Sequence, residues 1–447
     1  MTKPHIQGTT IPRAGASAPT EPPEMSAEPA VAGGFRRYWR LAFLVALAAI
    51  LGVVNVLVSG VDPIPLLPTD IHCGRSSEDL GRQLQCLASD YVGQDGSVRS
   101  IELAVAEGDG SFSWAGSAGI AAQRDGTAMA TDTPIYIASV TKIYIATTVM
   151  ALAERRLLSL DDPIANYLPA GVVNGLDVYQ GHDYSREVTI RQLVSMTSGI
   201  PDYFAERGSD GKTMFDVFIA DQTRTWTVDE MINRARTQLK PHFPPGTGVY
   251  YSDTGYELLG KIIEKATGQP LGRVLEDYIF GPLGLQRTWL LGSATPGAVV
   301  AATPADVYNR AQNISASRAH DYWADGGIVS TATDMITFLR ALNNGQLISR
   351  ASLQAMQTWR TWPGSFVPVP GVQYGYGLWH FNLTGLLSPL QNVLPTWGAS
   401  GSTGSFLYYS QDLDLYIAGT VNSSSSDMTP FLLMAGVIGA VSGNDNS

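Results

Sequence analysis

The chain has 447 residues, of which 45% are hydrophobic and 15% charged, so it can bury a large core. Its formal net charge of −11 gives no overall attraction for nucleic acid. No basic stripe with interleaved aromatic residues follows residue 40. Composition and charge therefore exclude a wholly disordered chain and argue against a nucleic-acid-binding protein.

The chain begins with a segment that is rich in proline, alanine, threonine and glycine over its first 34 residues. Few of these residues are large and apolar, so the segment cannot bury enough surface to offset the loss of chain entropy. We therefore predict that residues 1–40 form a disordered N-terminal segment.

An uncharged apolar run follows at residues 41–61, and its 21 positions are enough for a helix that spans a bilayer. Three arginines within residues 36–40 precede it, which predicts a cytoplasmic N-terminus by the positive-inside rule. A cleaved signal peptide is the alternative, because residues 58–60 offer small side chains for cleavage. The longer apolar run and the long N-terminal extension favour a single-pass anchor, with the rest of the chain extracytoplasmic.

A linker and the only two cysteines come next. Residues 62–75 are typical of a stiff, extended spacer, because three prolines fall in its first nine positions. A disulfide between Cys73 and Cys86 would close a loop of about 14 residues and contribute about 3 kcal/mol in the chain-entropy model. An extracytoplasmic location favours this disulfide over two free thiols.

Residues 76–447 are expected to form one globular domain. Residues 99–119 alternate around a Gly-Asp-Gly turn and predict a β-hairpin, and residues 404–423 predict two more strands. Residues 187–285 mix helical patterns with loops, and an apolar helix is predicted over 428–441. This order predicts an α/β (α+β) fold in which an antiparallel sheet, flanked by helices, joins both ends of the domain around an inserted helical lobe.

The segment IASVTK places Ser139 and Lys142 three positions apart at the start of a helix predicted over residues 139–157. That helix is uncharged from 143 to 153, as is typical of a buried helix. Both side chains fall on one face, where a lysine kept partly neutral by burial can activate a serine nucleophile. The alternative is an N-cap serine beside a lysine whose amine reaches solvent.

The Ser-x-x-Lys pattern alone is weak, because it also occurs at Ser209 and Lys212 in a polar loop. The six histidines show no metal-ligand spacing, and no Gly-x-Ser-x-Gly segment supports a Ser-His-Asp hydrolase.

Several segments in one order strengthen the assignment, among them IASVTK, VTIRQLVSMTSGIPDY, FPPGTGVYYSDTGYELLG and GGIVSTATDMITFLRAL. From about residue 98 to the C-terminus the chain resembles the serine β-lactamase family, which groups class C β-lactamases, D-alanyl-D-alanine carboxypeptidases and related esterases. The resemblance implies a groove between sheet and helical lobe, and acyl-enzyme chemistry on a small-molecule or peptide substrate without metal or cofactor.

The resemblance implies roles for individual residues. Ser139 matches the nucleophile, Lys142 its partner base, and Tyr251 the tyrosine of a Tyr-x-Asn element that passes a proton to the leaving group. A core aromatic beside Tyr250 is the alternative for Tyr251. Asp253 departs from the asparagine of this element, because it loses the amide donor and adds a negative charge. That charge either pairs with Lys142 or repels an anionic substrate.

The third element matches WGASGSTGSF, in which Ala399 stands where the family carries Lys or His. Ser400 and Gly401 fit the pattern, and the backbone amides of Ser139 and Ser402 are expected to donate to the oxyanion. The missing cation removes an anchor for a substrate carboxylate. The pattern therefore favours an ester or amide substrate without that carboxylate.

These observations predict a membrane-anchored, extracytoplasmic serine hydrolase of the β-lactamase, carboxypeptidase and esterase type. The alternative from another class is a non-catalytic module that holds cell-wall peptide or a partner protein in the same groove. Ser139, Lys142 and Tyr251 favour the enzyme, whereas Ala399 and Asp253 favour the binding module. The sequence predicts no particular oligomeric state.

Overall fold

A computed structural model describes residues 80–93, 98–293, 303–318, 322–361, 371–381, 395–425 and 429–444. The predicted N-terminal segment 1–40, the predicted membrane helix 41–61 and the linker 62–75 lie outside these ranges. No helix in the described ranges combines the length and apolar character that a membrane span requires. Cys86 is disulfide-bonded, and the chain has one other cysteine, Cys73, which itself lies outside the described residues. This agrees with the expected disulfide.

The strands are short except at the centre of the sheet. In chain order they are β1 (Ser100–Glu107), β2 (Ser113–Ala122), β3 (Thr127–Ala128), β4 (Ile135–Tyr136), β5 (Val178–Tyr179), β6 (His182–Asp183), β7 (Trp289–Leu290), β8 (Tyr308–Asn309), β9 (Gln312–Asn313), β10 (Ile328–Ser330), β11 (Arg360–Thr361), β12 (Val372–Tyr374), β13 (Trp379–Phe381), β14 (Thr396–Ser400), β15 (Ser405–Ser410) and β16 (Leu415–Thr420).

Helices fill the rest of the domain. In chain order they are α1 (Leu80–Asp90), α2 (Thr141–Glu154), α3 (Ala170–Val173), α4 (Ile190–Val194), α5 (Met214–Ala220), α6 (Val228–Gln238), α7 (Asp253–Thr267), α8 (Leu271–Leu275), α9 (Gly281–Leu283), α10 (Ser315–Arg318), α11 (Ala332–Asn343), α12 (Arg350–Met356) and α13 (Thr429–Asn444), with 3₁₀ turns at Ala138–Val140 and Ile164–Asn166 and a π turn at Glu276–Phe280.

The main sheet joins both ends of the domain. Among the described residues it has nine antiparallel strands in the order β11-β12-β13-β14-β15-β16-β1-β2-β3. The N-terminal strand β1 pairs with the C-terminal strand β16, with Leu103 opposite Gly419. This confirms the predicted α/β architecture, because the helices α3 to α9 lie in the chain between the two groups of strands.

Threonine caps start three helices of the inserted lobe. The side chains of Thr189, Thr213 and Thr227 each accept a hydrogen bond from the backbone amide three residues later, at the N-termini of α4, α5 and α6. In each case the residue that supplies the amide returns a side-chain bond to the threonine amide, which completes a capping box. Local sequence therefore fixes where these helices begin.

Helix α2 is enclosed on nearly all sides, as its uncharged sequence predicts. Tyr144 stacks on Phe338 of α11 with ring centroids 3.6 Å apart. The predicted bounds, 139–157, were too wide. The α-helix begins at Thr141, after a 3₁₀ turn that contains Ser139, and it ends at Glu154. Arg156 has a φ of 59°, in the left-handed region, so the backbone cannot continue the helix there.

One buried carboxyl lies in the helical lobe outside the predicted site. Asp177 is fully buried, and neither of its carboxylate oxygens has a hydrogen-bond partner. Burial raises the pKa of Asp177 to about 7, the charges of Asp183 and Glu187 add to this effect, and His242 opposes it. The ionised carboxylate is therefore unfavourable in the folded protein.

We expect the folded state to lose stability as pH rises through the Asp177 titration. The pKa of about 7 in the folded protein exceeds the ordinary value of 3.8. The contribution of Asp177 to the free energy of unfolding is therefore full below about pH 4 and lost above about pH 7. Asp177→Asn, which mimics the protonated acid, should gain about 1–2 kcal/mol over the unmodified chain at pH 8 and little at pH 4. Urea unfolding across this range measures the difference, and a pH-independent difference would contradict the assignment.

Candidate active site

Ser139 lies on a strained turn between the sheet and α2. It is the middle residue of the 3₁₀ turn Ala138–Val140, and Ala138 has a φ of 44°, which is rare for a residue with a Cβ atom. A hydrogen bond to β10 anchors the residue before the turn, because the amide of Ile137 donates to the carbonyl of Ile328 at 3.1 Å. This geometry sets Ser139 just ahead of the first residue of α2.

Lys142 brings the predicted residues together. Its side chain is 2% exposed, and its Nζ donates to Ser139 Oγ at 3.1 Å and to the backbone oxygen of Asp325 at 2.7 Å. The third contact is an ion pair with Asp253 Oδ1 at 2.5 Å. The ammonium has three hydrogens, and these three acceptors can use all of them. Of the two outcomes expected for the Asp253 charge, the structure shows the pairing with Lys142.

Tyr251 completes the cluster. It is 7% exposed, its hydroxyl interacts with Lys142 and Ser139, and Lys142 Nζ lies 5.0 Å from the centre of its ring. The ring also stacks on Trp379 of β13, with centroids 5.7 Å apart. Burial raises the pKa of Tyr251, and Lys142 only partly opposes this, so the hydroxyl keeps its proton at neutral pH.

The start of α7 explains how Tyr251 and Asp253 reach Lys142. Ser252 is the N-cap residue, and its Oγ accepts from the amide of Gly255 at 3.3 Å and donates to the carbonyl of Pro201 at 3.1 Å. This cap fixes the chain on both sides of Ser252. It therefore directs Tyr251 and Asp253 towards the same lysine.

The charge state of Lys142 follows from two opposing effects. Burial alone lowers the pKa of a lysine, because a low dielectric disfavours the ammonium. The negative charge of Asp253, with smaller contributions from Tyr251 and Asp325, reverses this effect and raises the pKa of Lys142 well above its usual value. Lys142 is therefore an ammonium in the resting site.

Three further acidic residues surround this pair, and the sequence analysis did not identify them. Asp202 Oδ1 accepts from the amide of Asp253 at 3.1 Å, and Asp325 Oδ2 accepts from the Tyr203 hydroxyl at 2.7 Å. Burial, followed by the Asp253 charge, raises the pKa of Asp202. Burial, followed by the charge of Asp325, raises the pKa of Glu257. Their signal in the sequence is the presence of acids in the segments GIPDY, YELLG and ADGG, the first two of which lie within the segments that carry the family resemblance.

Strand β14 runs up to the nucleophile turn, as expected for the third element. Ala399 is 1% exposed and pairs with Leu407 of β15. The Ser400 hydroxyl is hydrogen-bonded to the Tyr408 hydroxyl. Ser402, the expected second oxyanion donor, is exposed in the turn that follows this strand.

Gly401, the first residue after β14, packs against the turn that contains Ser139. Its amide donates to the carbonyl of Ser405 at 2.8 Å. A Cβ atom at position 401 would overlap Ser405 Oγ and the Ile137 carbonyl oxygen, and it would lie 3.0 Å from Ala138 Cβ. The absence of a side chain at Gly401 therefore allows the strand to approach the residue that precedes Ser139.

Comparisons with known proteins agree with this geometry. The profile of the beta-lactamase family matches residues 88–433. Penicillin-binding protein 4 of Amycolatopsis lactamdurans is 34% identical over 178 residues, which are 39% of this chain and 41% of that protein. Esterase EstB of Burkholderia gladioli is 31% identical over 172 residues, 38% of this chain and 41% of that protein. The match thus spans about two fifths of the length of these two curated relatives.

A solved structure matches over more of the chain. The D-stereospecific amidohydrolase from Streptomyces sp. has 29% sequence identity and a TM-score of 0.60, and the match covers 77% of this chain and 95% of that one. Because the family profile covers well over half of the sequence, the chain belongs to the beta-lactamase family.

We expect Gly401→Ala to disturb the nucleophile without unfolding the domain. The added methyl group would overlap Ser405 Oγ and the Ile137 carbonyl oxygen, so it must displace the turn that carries Ser139, and a displacement of about 1 Å at a reacting group costs up to about 100-fold in rate. The measurement is the rate at which a fluorophosphonate probe modifies Ser139, followed by intact-protein mass spectrometry. Gly171→Ala is the matched control, because a Cβ atom at Gly171 meets nothing within 4 Å. Equal labelling rates in both variants would refute the role assigned to Gly401.

Proposed function

We propose that this protein is a serine hydrolase that cleaves an ester or amide through an acyl-enzyme formed on Ser139. The observation that carries the proposal is the cluster in which Lys142 Nζ lies 3.1 Å from Ser139 Oγ and the Tyr251 hydroxyl reaches both. A nucleophile, a proton-transfer partner and a second proton donor are the parts that acyl transfer requires. The names of the relatives, a penicillin-binding protein, an esterase and an amidohydrolase, support the same reaction class.

In the proposed reaction, Ser139 Oγ attacks the acyl carbon while its proton passes towards Lys142. The amides of Ser139 and Ser402 donate to the oxyanion of the tetrahedral intermediate. Tyr251, protonated at neutral pH, gives a proton to the leaving group and is reprotonated through Lys142. Water then attacks the acyl-enzyme and releases the acid.

The charge of the site supports an acyl substrate without a carboxylate. Ala399 supplies no cation on β14, and the positive charge of Lys142 is already paired with Asp253. A carboxylate that binds beside β14 would lose water without gaining a charged partner from position 399 or from Lys142. We therefore propose a neutral ester or amide as the substrate, in preference to penicillins or peptides that end in D-alanine.

We also propose that the domain is extracytoplasmic and anchored through residues 41–61. Support comes from the 21 uncharged positions of that segment, from the arginines before it, and from the disulfide at Cys86. The alternative function, a binding module without turnover, is favoured by one observation. The Lys142–Asp253 ion pair holds the lysine as an ammonium, which is not a base.

Ser139→Ala should abolish turnover of an activated short-chain ester and all labelling by a fluorophosphonate, because no other group replaces the nucleophile. The loss expected in kcat is at least about 1000-fold. Ser209→Ala is the matched control, since Ser209 and Lys212 repeat the Ser-x-x-Lys spacing in an exposed loop. Full activity is expected in that control. If the unmodified chain shows neither labelling nor turnover, the binding module becomes the better assignment.

A cation at position 399 should change substrate selectivity. Ala399→Lys should raise the ratio of kcat/KM for a carboxylate-bearing peptide ester to that for its neutral methyl ester by about tenfold, which is the effect of one charged hydrogen bond. Ala399→Met is the control for side-chain volume, because Ala399 is buried. An equal change of the ratio in both variants would show that volume, and not charge, determines the selectivity.

A further inference from the structure

The ion pair at the centre of the site poses a problem for proton transfer. Attack by Ser139 requires a group that takes its proton, but Lys142 is already an ammonium with three acceptors around it. Tyr251 also holds its proton at neutral pH, so it can relay a proton but cannot remove one. The nearest group able to gain a proton is Asp253, whose Oδ1 lies 2.5 Å from Lys142 Nζ.

Two features of the surroundings of Asp253 favour its carboxylic acid form, in opposition to the ammonium of Lys142, which favours the carboxylate. Asp253 is 5% exposed, and its backbone amide donates to the carboxyl of Asp202. A neighbouring carboxyl raises the proton affinity of a buried acid. Burial also destabilises an ion pair relative to a neutral amine and acid, because both charges lose hydration. Transfer of a proton from Nζ to Oδ1 is therefore less costly in this site than in solution.

Titratable groups face the pair from every element packed around it. They are Tyr251 before α7, Tyr256 and Glu257 in α7, Asp202 and Tyr203 in the loop after α4, Asp325 before β10, and Tyr374 in β12. Apart from Lys142 itself, all of these groups are acids or phenols. None supplies a second positive charge that would hold Asp253 ionised.

We propose that Asp253, acting through Lys142, stores the proton that leaves Ser139 during acylation. The Oγ–H proton moves to Nζ while an Nζ–H proton moves to Oδ1, and Oγ forms its bond to the acyl carbon. Lys142 remains an ammonium, Asp253 becomes a carboxylic acid, and the negative charge lies on the oxyanion. When the bond to the leaving group breaks, the proton returns through Lys142 and Tyr251 to that group, which restores the carboxylate. This inference rests on the proposed function, and Asp253 is a positioning residue because it does not touch the substrate.

The pH dependence of activity distinguishes this role from a merely structural one. We call the fall of kcat/KM towards acidic pH the acid limb. If Asp253 stores the proton, the acid limb reports ionisation of its carboxyl and lies below neutral pH. In Asp253→Asn, Lys142 itself must lose a proton, so the limb moves to higher pH by at least about one unit, or about tenfold in rate on that limb. If Asp253 only keeps Lys142 charged, its removal lowers the pKa of Lys142, and the limb moves to lower pH with a faster rate at pH 7.

The experiment measures kcat/KM of the full-length chain between pH 4 and 9 on an N-acetyl amino acid anilide with an uncharged side chain, which has no group that titrates in this range. Asp253→Glu should keep the acid limb below neutral pH even where its rate is lower, because it retains a carboxyl. Asp202→Asn is the matched control, since it removes the neighbouring carboxyl and leaves the Lys142 contact intact. The acid limb of Asp202→Asn should stay in place or move to lower pH, because the variant lacks the carboxyl that favours protonation of Asp253.

The folded fraction of each variant is measured at every pH by circular dichroism, and kcat/KM is calculated per folded molecule, so that incomplete folding of Asp253→Asn does not shift the limb. A shift of its limb to lower pH would overturn the proposal while leaving the serine hydrolase assignment intact. Absence of Ser139 labelling and of turnover in the unmodified chain would instead overturn both proposals.

Discussion

The rest of the site depends on one buried ion pair, between Lys142 of α2 and Asp253 at the start of α7. Both residues are nearly fully buried, and a buried charge without its partner is strongly unfavourable. The pair therefore ties the helix behind the nucleophile to the segment that carries Tyr251. Because Lys142 also donates to Ser139 and to the backbone of Asp325, three chain segments meet at one nitrogen. The contact that links α2 to the start of α7 is thus the same contact that sets the charge at the nucleophile.

The sheet contributes a second constraint, which acts on the backbone of the nucleophile turn. The side chains of Thr403 and Ser405 donate to the carbonyls of Tyr136 and Ile137, both at 2.6 Å. These bonds hold the two residues that precede Ala138, whose left-handed backbone carries strain. A strained turn persists only where its neighbours fix it, so the β14–β15 hairpin is part of the catalytic apparatus without contributing a reacting side chain.

Local patterns predicted the elements in which the hydrophobic pattern of the sequence agrees with the burial of the residues. The strand alternation around residues 99–119 and 404–423 and the uncharged run of α2 gave the sheet and the buried helix, because burial and periodicity coincide there. The turn at Ser139 was not predictable, because the φ of Ala138 depends on contacts with Gly401, far away in the chain. The buried acids were missed for a related reason. Acidic residues near a helix start, such as Asp253, are ordinary on a protein surface, and only tertiary packing shows that they are enclosed.

The two departures from the family pattern form one consistent electrostatic change. Ala399 removes a positive charge that the pattern expects, and Asp253 adds a negative one. The net charge beside the groove is therefore more negative by two elementary charges. Ser139 Oγ and Lys142 Nζ nevertheless lie 3.1 Å apart, and the Tyr251 hydroxyl interacts with both. A shift of this sign leaves a nucleophile and its proton-transfer groups in place but removes the attraction for an anionic substrate. This charge pattern is the reason for which we propose a different acyl substrate for this chain and not a loss of catalysis.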